Sequence, residues 1–561
     1  MKKLAFTLAI VIMFSLLAAC NGGSEQNSTA AVTTGAAGQT TASGTSGGGG
    51  GTESASGGEA DKYGGTLSMV LTADPVNVNF TVESGPSTQY LRAACFDTLL
   101  AVNADGGYEP RMAESWEAST DGLVWTFHLR EGLTWHDDTP FTAQDIVFSY
   151  NYLMQPDLEM VNPYPTIGTA AYVDDLTFTL TLEAADSSIL YNVYRNARFV
   201  PKHIWENVPP SQFLSSPAAQ TPMGLGPFKF SEYVPGEFIS FDRFDGYWQG
   251  KPYLDKIVMR IIPDTNAQQT ALESGQVHYI PLSTAEYMVI SGGNADIKFE
   301  VYPTNIYCWL VLNHTNPSLD DVNVRRAVAH LVNKDAIINQ VYGGIGSEAV
   351  SCFSVNDMYY SADACVLYDF NIDTANQILD EAGWEISADG VREKDGKRLE
   401  FECVYRSGGA TYLSKFMIMM ADFHKAGIKL NVKAVDSSIV TAALTESPEL
   451  FDIMFLRSGM GPDPSGWSTT LGGDTFFYLQ DDALKQQIND LFSAARLATS
   501  EAERAKLYGQ IQTLYTDNAL SIPVYNRTQV SALAASLMMD EALMDGGFNM
   551  LNNYWLLYFS K

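Results

Sequence analysis

A change of composition near residue 62 confines any folded core to the rest of the chain. Residues 21–61 are mostly Gly, Ser, Thr and Ala, and residues 47–51 are an unbroken run of glycine. A segment without apolar surface to bury cannot offset its conformational entropy, so we predict a disordered tether that spans roughly 35 Å on average for ~40 residues. Residues 63–561 remain, enough for three or four units at roughly 150 residues each.

Residues 1–20 have the pattern of an export signal. Lys2 and Lys3 precede an apolar stretch at residues 4–19, which is too short for a comfortable transmembrane helix. The stretch ends LAAC at residues 17–20, which resembles the bacterial lipobox, so we predict cleavage after residue 19 and acylation of Cys20. No later segment reads as membrane-spanning, so we expect a lipid-anchored protein on the extracytoplasmic face of the cell membrane.

The net charge excludes two classes of partner. The chain has 34 Lys and Arg against 65 Asp and Glu, a formal charge of −31 at pH 7. Nucleic acid needs a basic surface to neutralise its phosphates, and anionic lipid needs a basic face. We therefore expect no nucleic-acid partner.

The cysteines leave one question open. They are Cys20, Cys95, Cys308, Cys352, Cys365 and Cys403. With Cys20 acylated, five remain, so at least one is unpaired within the chain. Cys352 and Cys365 are near enough in sequence to close a short disulfide loop, which export permits, and two buried free thiols are the alternative.

No local catalytic or metal-binding motif is present. The seven histidines include no HExxH spacing, and residues 63–561 contain neither GxSxG, GxxxxGK[ST] nor CxxC. Asp137 and Asp138 are adjacent and would point to opposite faces of a strand, so they are poor candidates for a glycosidase pair. The absence of local motifs leaves a catalytic triad dispersed along the chain open, and we expect neither a cofactor nor a metal.

Strands and helices alternate along the body of the chain. Apolar and polar residues alternate at 63–71, 123–130 and 176–182, which predicts strands. Helical periodicity follows Asp321, and further helices are predicted at 373–382, 483–497 and 501–515. This mixture indicates the α/β class, with some α+β character.

A series of blocks in this body resembles the signature of family 5 extracellular solute-binding proteins, which include oligopeptide-, dipeptide- and nickel-binding proteins. The blocks are PRMAESWE (110–117), DGLVWTFHLREG (121–132), WHDDTPFTAQDIVF (135–148), PKHIW (201–205), GLGPFKF (224–230), YWQGKPYLD (247–255), ALESG (271–275), DVNVRRA (321–327) and ILDEAGW (378–384). They keep the order of the family and cover nearly all of 63–561. One departure is Asp138, where the family usually has glycine.

The resemblance implies a periplasmic-binding-protein-like fold of class II type, with two lobes joined by crossing strands and an extra domain. Carried onto this chain, lobe I comprises 63–108, 222–313 and 527–561, the extra domain 109–221 and lobe II 314–526, after a signal peptide (1–19) and a linker (20–62).

The resemblance implies that the protein is a binding protein rather than an enzyme, namely the receptor of an ABC importer. Such a receptor captures a peptide or similar solute by closure of the cleft and delivers it to a permease served by ATPase subunits; a monomer is expected. A non-peptide solute, such as an oligosaccharide, an opine-like compound or a metal chelate, and a tethered sensor are the alternatives.

A cleft needs aromatic walls and a few placed polar groups. Tyr307 and Trp309, which period two places on one face with Asn305, lie on the strand that crosses between lobes in the family. Arg406, in a glycine-bearing loop, could fork onto a carboxylate. The full set of predicted ligand-binding residues is Tyr307, Trp309, Arg406, Arg457, Asp463, Trp467 and Tyr525. The alternatives are core positions for Trp309 and Trp467, a surface ion pair for Arg406 and a turn cap for Asp463.

One position departs from the peptide binders of the family. In those proteins an aspartate a few residues before an acid–proline pair holds the amino terminus of the peptide. Asp463 and Pro464 match that pair here, but three residues earlier the chain has Met460. Either Asp463 takes over this role, or the solute is not a peptide.

Overall fold

The computed structural model describes residues 60–75, 77–79, 81, 88–103, 107–158, 168–195, 199–290, 294–408, 411–459, 461–472, 476–498, 500–540 and 550–560. The predicted signal segment, Cys20 and nearly all of the predicted tether lie outside these residues. Within them, no helix has both the length and the hydropathy needed to cross a bilayer.

The strands are short except for two. They are β1 (Thr66–Leu71), β2 (Leu100–Val102), β3 (Tyr108–Pro110), β4 (Ala113–Ala118), β5 (Val124–Leu129), β6 (Thr169–Asp174), β7 (Thr177–Thr181), β8 (Phe228–Val234), β9 (Phe238–Arg243), β10 (Lys256–Ile261), β11 (Tyr279–Leu282), β12 (Ile297–Leu312), β13 (Ser347–Glu348), β14 (Glu385–Ile386), β15 (Arg392–Lys394), β16 (Lys397–Arg398), β17 (Glu400–Arg406), β18 (Lys429–Val435), β19 (Ile453–Ser458), β20 (Ser521–Ala534), β21 (Leu537–Met539) and β22 (Leu557–Phe559).

The α-helices pack on both faces of the sheets. They are α1 (Thr88–Cys95), α2 (Ala143–Leu153), α3 (Ile189–Arg195), α4 (Lys202–Trp205), α5 (Thr265–Glu273), α6 (Thr284–Ile290), α7 (Val322–Leu331), α8 (Lys334–Ala336), α9 (Ile372–Glu381), α10 (Tyr412–Lys425), α11 (Ser437–Thr445), α12 (Ser468–Leu471), α13 (Asp482–Leu497) and α14 (Glu501–Asp517). A π-helix (Ile337–Val341) continues α8, and the 3₁₀ helix Pro464–Trp467 precedes α12.

One large sheet runs through both lobes. Its strand order is β18-β17-β19-β12-β20-β11-β1-β10-β9-β8, with β13 also paired to β20. β12 has 16 residues and spans roughly 50 Å at ~3.3 Å per residue. One end of its antiparallel pair with β20 adjoins β11, and the other end adjoins β19. The predicted two-lobe fold with crossing strands is confirmed, with β1 and β8–β11 in lobe I and β13–β19 in lobe II.

Lobe II has a core on each face of its half-sheet, because successive β12 side chains point to opposite faces. Cys308, Leu310 and Leu312 pack with α7, α9 and α10. Trp309 and Val311 pack with α11, α13 and α14. The extra domain has its own antiparallel sheet, in the order β4-β5-β7-β6, and its own core. The boundaries predicted for the three units stay a prediction.

Most predicted elements are present. Asp321 caps α7 by accepting a hydrogen bond from the Asn323 N–H, and Gly383, at φ +80°, follows α9. α9 begins at residue 372, one residue before its predicted start, and is capped by Asn371. Tyr525 lies near the start of β20, which begins at residue 521 and continues to residue 534 as the return crossing.

The cysteine question is answered in this structure. The described cysteines, Cys95, Cys308, Cys352, Cys365 and Cys403, are all free thiols. Burial raises the pKa of the Cys352 thiol well above its ordinary value, which keeps it protonated. The free-thiol alternative therefore holds for the Cys352 and Cys365 pair.

The turn before β8 requires glycine. A Cβ on Gly224 would lie 1.9 Å from the Cys95 carbonyl oxygen, while the Gly226 N–H donates to the same oxygen at 2.9 Å. His136, from the extra domain, accepts from the Gly224 N–H at 3.3 Å. The turn thus joins α1 to the extra domain by a close backbone approach.

We expect Gly224→Ala to lower the free energy of unfolding by about 2 kcal/mol or more, because the backbone must shift to admit the methyl group. Gly509→Ala is the matched control. Gly509 lies within α14, where a Cβ would meet only the Ala364 Cβ at 3.9 Å, so the change should stabilise by about 0.5–1 kcal/mol. Urea unfolding of both variants checks this, and a Gly224→Ala protein as stable as wild type would contradict it.

Candidate functional site

The candidate site lies at the edge of the lobe II half-sheet that faces lobe I. β17 and β19 are parallel and end at this edge with Arg406 and Ser458. Ser458 pairs with Tyr307 of β12, which pairs with Asn526 of β20. We call these strand ends and the adjoining parts of β12 and β20 the cleft edge. In open α/β sheets, ligands bind beyond the carboxyl ends of the strands.

Arg406 and Arg457 are the predicted site residues that reach the surface here. Both are partly exposed. Arg457 pairs in register with Cys308, which pairs with Tyr525, so these three side chains share one face of the sheet. Burial raises the pKa of Tyr412, and the positive charges of Arg457, Arg406 and Arg527 oppose that rise; Arg527 was not among the predicted site residues.

Lys415, on α10, was also missed by sequence reasoning. It is only 1% exposed, and its ammonium lies 4.3 Å from the ring centroids of both Tyr412 and Phe455. It donates to the Tyr525 hydroxyl at 3.3 Å. Burial, with a smaller contribution from Arg457, lowers the pKa of Lys415 to about 8. A lysine in a helix with apolar neighbours gives no signal of this in the sequence.

Three predicted aromatic residues are together, but they are buried. Tyr307, Trp309 and Trp467 are all 0% exposed, and their ring centroids are 5.6–6.3 Å apart. The prediction that Tyr307 and Trp309 share a face is confirmed. That face is covered by α13 and α14, so the three rings are core residues in this conformation. Their contact with a solute stays a prediction.

Their polar atoms are used within lobe II. The Tyr307 hydroxyl donates to the Cys352 carbonyl at 2.9 Å, and the Trp309 indole N–H donates to Ser458 Oγ at 3.3 Å. Trp309 therefore holds the side chain of Ser458, the last residue of β19, through a hydrogen bond. Tyr525 is 7% exposed, and its hydroxyl lies 2.6 Å from that of Tyr342.

Asp463 is engaged by Arg504. The carboxylate is 0% exposed and its Oδ2 lies 3.0 Å from the Arg504 guanidinium, which is itself 4% exposed. It also caps the 3₁₀ helix by accepting from the Ser465 N–H at 2.8 Å. Asp463 is a turn cap and an ion-pair partner here, so it does not present a free carboxylate to an amine. Met460 lies outside the described residues.

Asp357 joins this region to the crossing strand. Its carboxyl group accepts from the Ser354 N–H at 2.9 Å, the Trp467 indole at 3.2 Å and the Asn305 amide of β12 at 3.4 Å. Burial raises the pKa of Asp357 to about 8. Among the described residues, no group of three or more His, Cys, Asp and Glu is placed to hold a metal ion.

The extra domain touches lobe II directly. The Ser187 N–H donates to the Arg496 carbonyl at 2.8 Å, and its hydroxyl donates to the Arg496 and Ala495 carbonyls at 2.9 and 3.1 Å. Nearby, a Cβ on Gly461 would lie 2.3 Å from the Tyr191 hydroxyl oxygen. We call the approach of Ser187 and Tyr191 to lobe II the closure contact. In the sequence, the glycine at residue 461, between Met460 and Pro462, is the feature that could have indicated the closure contact.

Comparison with known proteins places the chain among solute-binding proteins. Residues 107–477 match the family model described as bacterial extracellular solute-binding proteins, family 5 Middle. The oligopeptide-binding protein AppA of Bacillus subtilis is 25% identical over 431 residues, 76% of this chain and 78% of AppA. Heme-binding protein A of Haemophilus influenzae is 27% identical over 445 residues, 74% of this chain and 78% of that protein.

A solved structure shows the same architecture. The ABC transporter substrate-binding protein CtaP from Listeria monocytogenes aligns with a TM-score of 0.78 at 25% identity. The alignment covers 89% of this chain and 100% of the CtaP chain.

We expect Asp463→Ala to destabilise the protein by about 3–5 kcal/mol, because it leaves the buried Arg504 charge without its partner. Asp482→Ala is the control: Asp482 pairs with Lys485 at 3.3 Å but is 95% exposed, so its loss should change stability by less than about 0.5 kcal/mol. Chemical denaturation distinguishes the two, and equal effects would argue against a buried ion pair.

Lys415→Met should be more stable than wild type at pH 7, by roughly 2–3 kcal/mol, because it removes a buried charge from among aromatic rings. The pKa of Lys415 is about 8 in the folded protein and 10.5 for an unperturbed lysine, so the unfolded chain binds more protons between these values. Wild-type stability therefore gains on the variant from pH 8 to pH 10. Thermal melts across this range check it; a constant difference would contradict it.

Proposed function

The chain belongs to family 5 of the bacterial extracellular solute-binding proteins, and we propose that it captures a peptide or a similar small solute for an ABC importer by closing its two lobes. The observation that carries the proposal is a pair of crossing strands, β12 and β20, which joins two lobes, while the extra domain meets lobe II at the closure contact. This arrangement permits a solute to be enclosed between the lobes.

Closure needs a small energetic bias that a solute can supply. Ser187 makes hydrogen bonds to two main-chain carbonyls of lobe II, and a typical hydrogen bond contributes about 0.5–1.5 kcal/mol net. A solute that contacts both lobes favours the closed form by the difference between its affinities for the two forms. The permease would then recognise the closed form.

In this proposal the solute lies against the cleft edge of lobe II. Arg406 and Arg457, both partly exposed, lie at this edge and would contact the solute. The buried rings of Tyr307, Trp309 and Trp467 support these strand ends from within lobe II. Tyr525 is hydrogen-bonded to Tyr342, and Asp463 is paired with Arg504. A solute touches any of these five only where closure and opening uncover them.

The described residues suit binding better than catalysis. The acid–histidine pair Asp137 and His203, 2.9 Å apart, lies on the surface of the extra domain with both side chains 35% exposed. A surface pair of this kind is solvated and has no enclosed substrate position beside it. AppA and heme-binding protein A are likewise named for what they bind.

The N-terminal residues complete the proposal. Acylated Cys20 would hold the protein on the outer face of the membrane, and residues 21–61 would let the folded lobes reach a permease. The partners are then a membrane permease with its ATPase subunits, and the receptor acts as a monomer. Nucleic acid has no place in this role, given the charge of −31.

Two changes test capture and anchoring together. Mass spectrometry should identify a solute released when the natively purified protein is denatured, and cells lacking the gene should lose uptake of that solute. Cys20→Ala should move the protein from the membrane fraction to the soluble extracytoplasmic fraction. Uptake that is unchanged in the deletion strain would contradict the proposed function.

Ser187→Ala should weaken binding of the released solute about three- to tenfold, because the hydroxyl donor that the Arg496 and Ala495 carbonyls share in the closed form is lost. Stability should stay near that of wild type, since Ser187 is partly exposed. Ser414→Ala, an exposed serine on α10, is the control and should leave the affinity unchanged. Calorimetric titration measures both; equal affinities would remove the closure contact from the mechanism.

A further inference from the structure

Residues 304–306 of β12 lie outside the ladder that joins this strand to β20. The register of the two strands shifts between Pro303 and Tyr307, where three residues of β12 lie opposite Arg527 alone. A bulge of this kind bends the strand and leaves main-chain groups that the partner strand does not bond, so these groups need other partners. The loop at residues 354–359 of lobe II supplies such partners, and we call it the strap.

The strap is hydrogen-bonded to this irregular part of β12. The Ser354 hydroxyl donates to the Thr304 carbonyl at 3.2 Å. The Asn305 side-chain amide donates to the Asn356 carbonyl at 3.1 Å and to the Asp357 carboxyl group at 3.4 Å. The strap therefore replaces β20 as the partner of β12 at the interruption of the ladder.

The strap reaches β20 as well. The Val355 N–H donates to the side-chain oxygen of Asn526 at 3.4 Å, and the Asn526 amide donates to the Glu348 carbonyl of β13 at 2.9 Å. Both crossing strands are therefore bonded to the same short segment of lobe II, next to the place where their register shifts.

The other side of the strap is bonded to the loop that the extra domain touches. The Met358 N–H donates to the Pro462 carbonyl at 2.6 Å. Pro462 follows Gly461, where an added Cβ would lie 2.3 Å from the hydroxyl oxygen of Tyr191 in the extra domain. The bond from the strap is thus one residue away from the closure contact.

Asp357 contacts both sides of the strap. Its carboxyl group accepts from the Trp467 indole at 3.2 Å, and Trp467 ends the 3₁₀ helix that Asp463 caps. On the side of β12 it accepts from Asn305, and within the strap it accepts from the Ser354 N–H at 2.9 Å. Asp357 is only 4% exposed, so it acts on its surroundings through these neighbours.

The strap ends in a strained residue. Tyr359 has a φ of +62°, which residues with a Cβ rarely adopt. Its hydroxyl accepts from Arg504 at 2.9 Å, its ring stacks on Tyr508 at 5.2 Å, and its carbonyl accepts from Gln512 at 2.9 Å. Such a conformation persists only where several contacts hold it, and here α14 supplies them. One end of the strap is therefore fixed to α14, while the other end bonds to the crossing strands.

Resting on the proposed function, we infer that the strap transmits closure of the cleft to the crossing strands, with Asp357 as the positioning residue of this link. The closure contact orders residues 461–467 of lobe II. The bonds of Asp357 and Met358 pass that order to residues 304–306, where β12 bends. A solute that closes the cleft then stabilises the bend in β12 from a distance, without touching it.

Hydrogen–deuterium exchange, measured by mass spectrometry on the full mature chain, tests this link. The natively purified protein, which carries its solute, is compared with the same protein stripped of solute by unfolding and refolding. In wild type we expect the solute to slow amide exchange about tenfold at residues 187–191, 304–306 and 354–359, because closure suppresses local opening at all three.

Asp357→Asn should break the link to β12 alone. The amide keeps one oxygen for the Trp467 indole, but it turns an NH₂ group toward the NH₂ group of Asn305. We expect the solute still to slow exchange at residues 187–191 in this variant, and no longer at residues 304–306. The affinity for the solute released from the native protein should fall about three- to tenfold, the range for loss of one hydrogen bond.

Asn305→Ala breaks the same link from the side of β12. It should abolish the exchange difference at residues 304–306 in the same way, which tests the link even where Asp357→Asn does not fold.

Ser351→Ala is the matched control, because it removes a buried hydrogen bond of 2.8 Å to Gln512 of α14 just before the strap, within lobe II. It should lower the free energy of unfolding, and leave the affinity and the exchange difference at residues 304–306 as in wild type.

The outcomes separate this inference from the proposed function. A wild-type exchange pattern in both Asp357→Asn and Asn305→Ala, or an equal loss of the pattern in Ser351→Ala, would overturn the link and leave solute capture intact. Wild-type protein in which the solute slows exchange at residues 187–191 but not at 304–306 would do the same. A natively purified protein that releases no solute, and exchanges identically before and after stripping, would contradict solute capture and the inference with it.

Discussion

The antiparallel pairing of β12 with β20 is the interaction on which both lobes depend. The same two strands adjoin β11 at one end and β19 at the other, so neither lobe completes its half-sheet without them. Their register shifts between Pro303 and Tyr307, where the strands pass from one lobe to the other. A hydrogen-bond ladder with an interruption bends more readily than a regular one. β12 and β20 are each continuous in sequence, but we expect the pair to bend near its middle.

The cleft edge follows from how lobe II buries its side chains. Both faces of its half-sheet are covered by helices, so the large aromatic residues of β12 serve the core, and only the strand ends remain for a solute. Water solvates charged residues at such strand ends while the cleft is open. Their electrostatic interactions with a solute become stronger when the cleft closes and water is excluded. Asp463 and Arg504 show the opposite case, because their pair is buried within the lobe and is already satisfied.

Several features could be predicted from the sequence because they are local. Period two correctly placed Tyr307 and Trp309 on one face, and turn and cap residues such as Gly383 and Asp321 marked helix ends. Which helices would cover each face of β12 could not be predicted, because both faces of a central strand are apolar. The family resemblance gave the two lobes and crossing strands, which no local pattern contains.

The remainder depends on contacts between distant segments. Asp463 meets Arg504 and Ser187 meets Arg496 only after the lobes have formed, so neither partner has a signal near it in the sequence. Lys415 is buried because β20 and the turn after the π-helix bring Tyr525 and Tyr342 over α10. Charge and burial at the site are therefore tertiary properties.

Small-angle X-ray scattering of the full mature chain tests the central claim most directly, once on protein stripped of solute and once after the solute is restored. The account predicts that the radius of gyration and the maximum dimension both fall when solute binds, because two lobes rotate about the compliant middle of β12 and β20. Identical scattering from the two samples, with binding verified by calorimetry, would show one rigid body and contradict capture by closure.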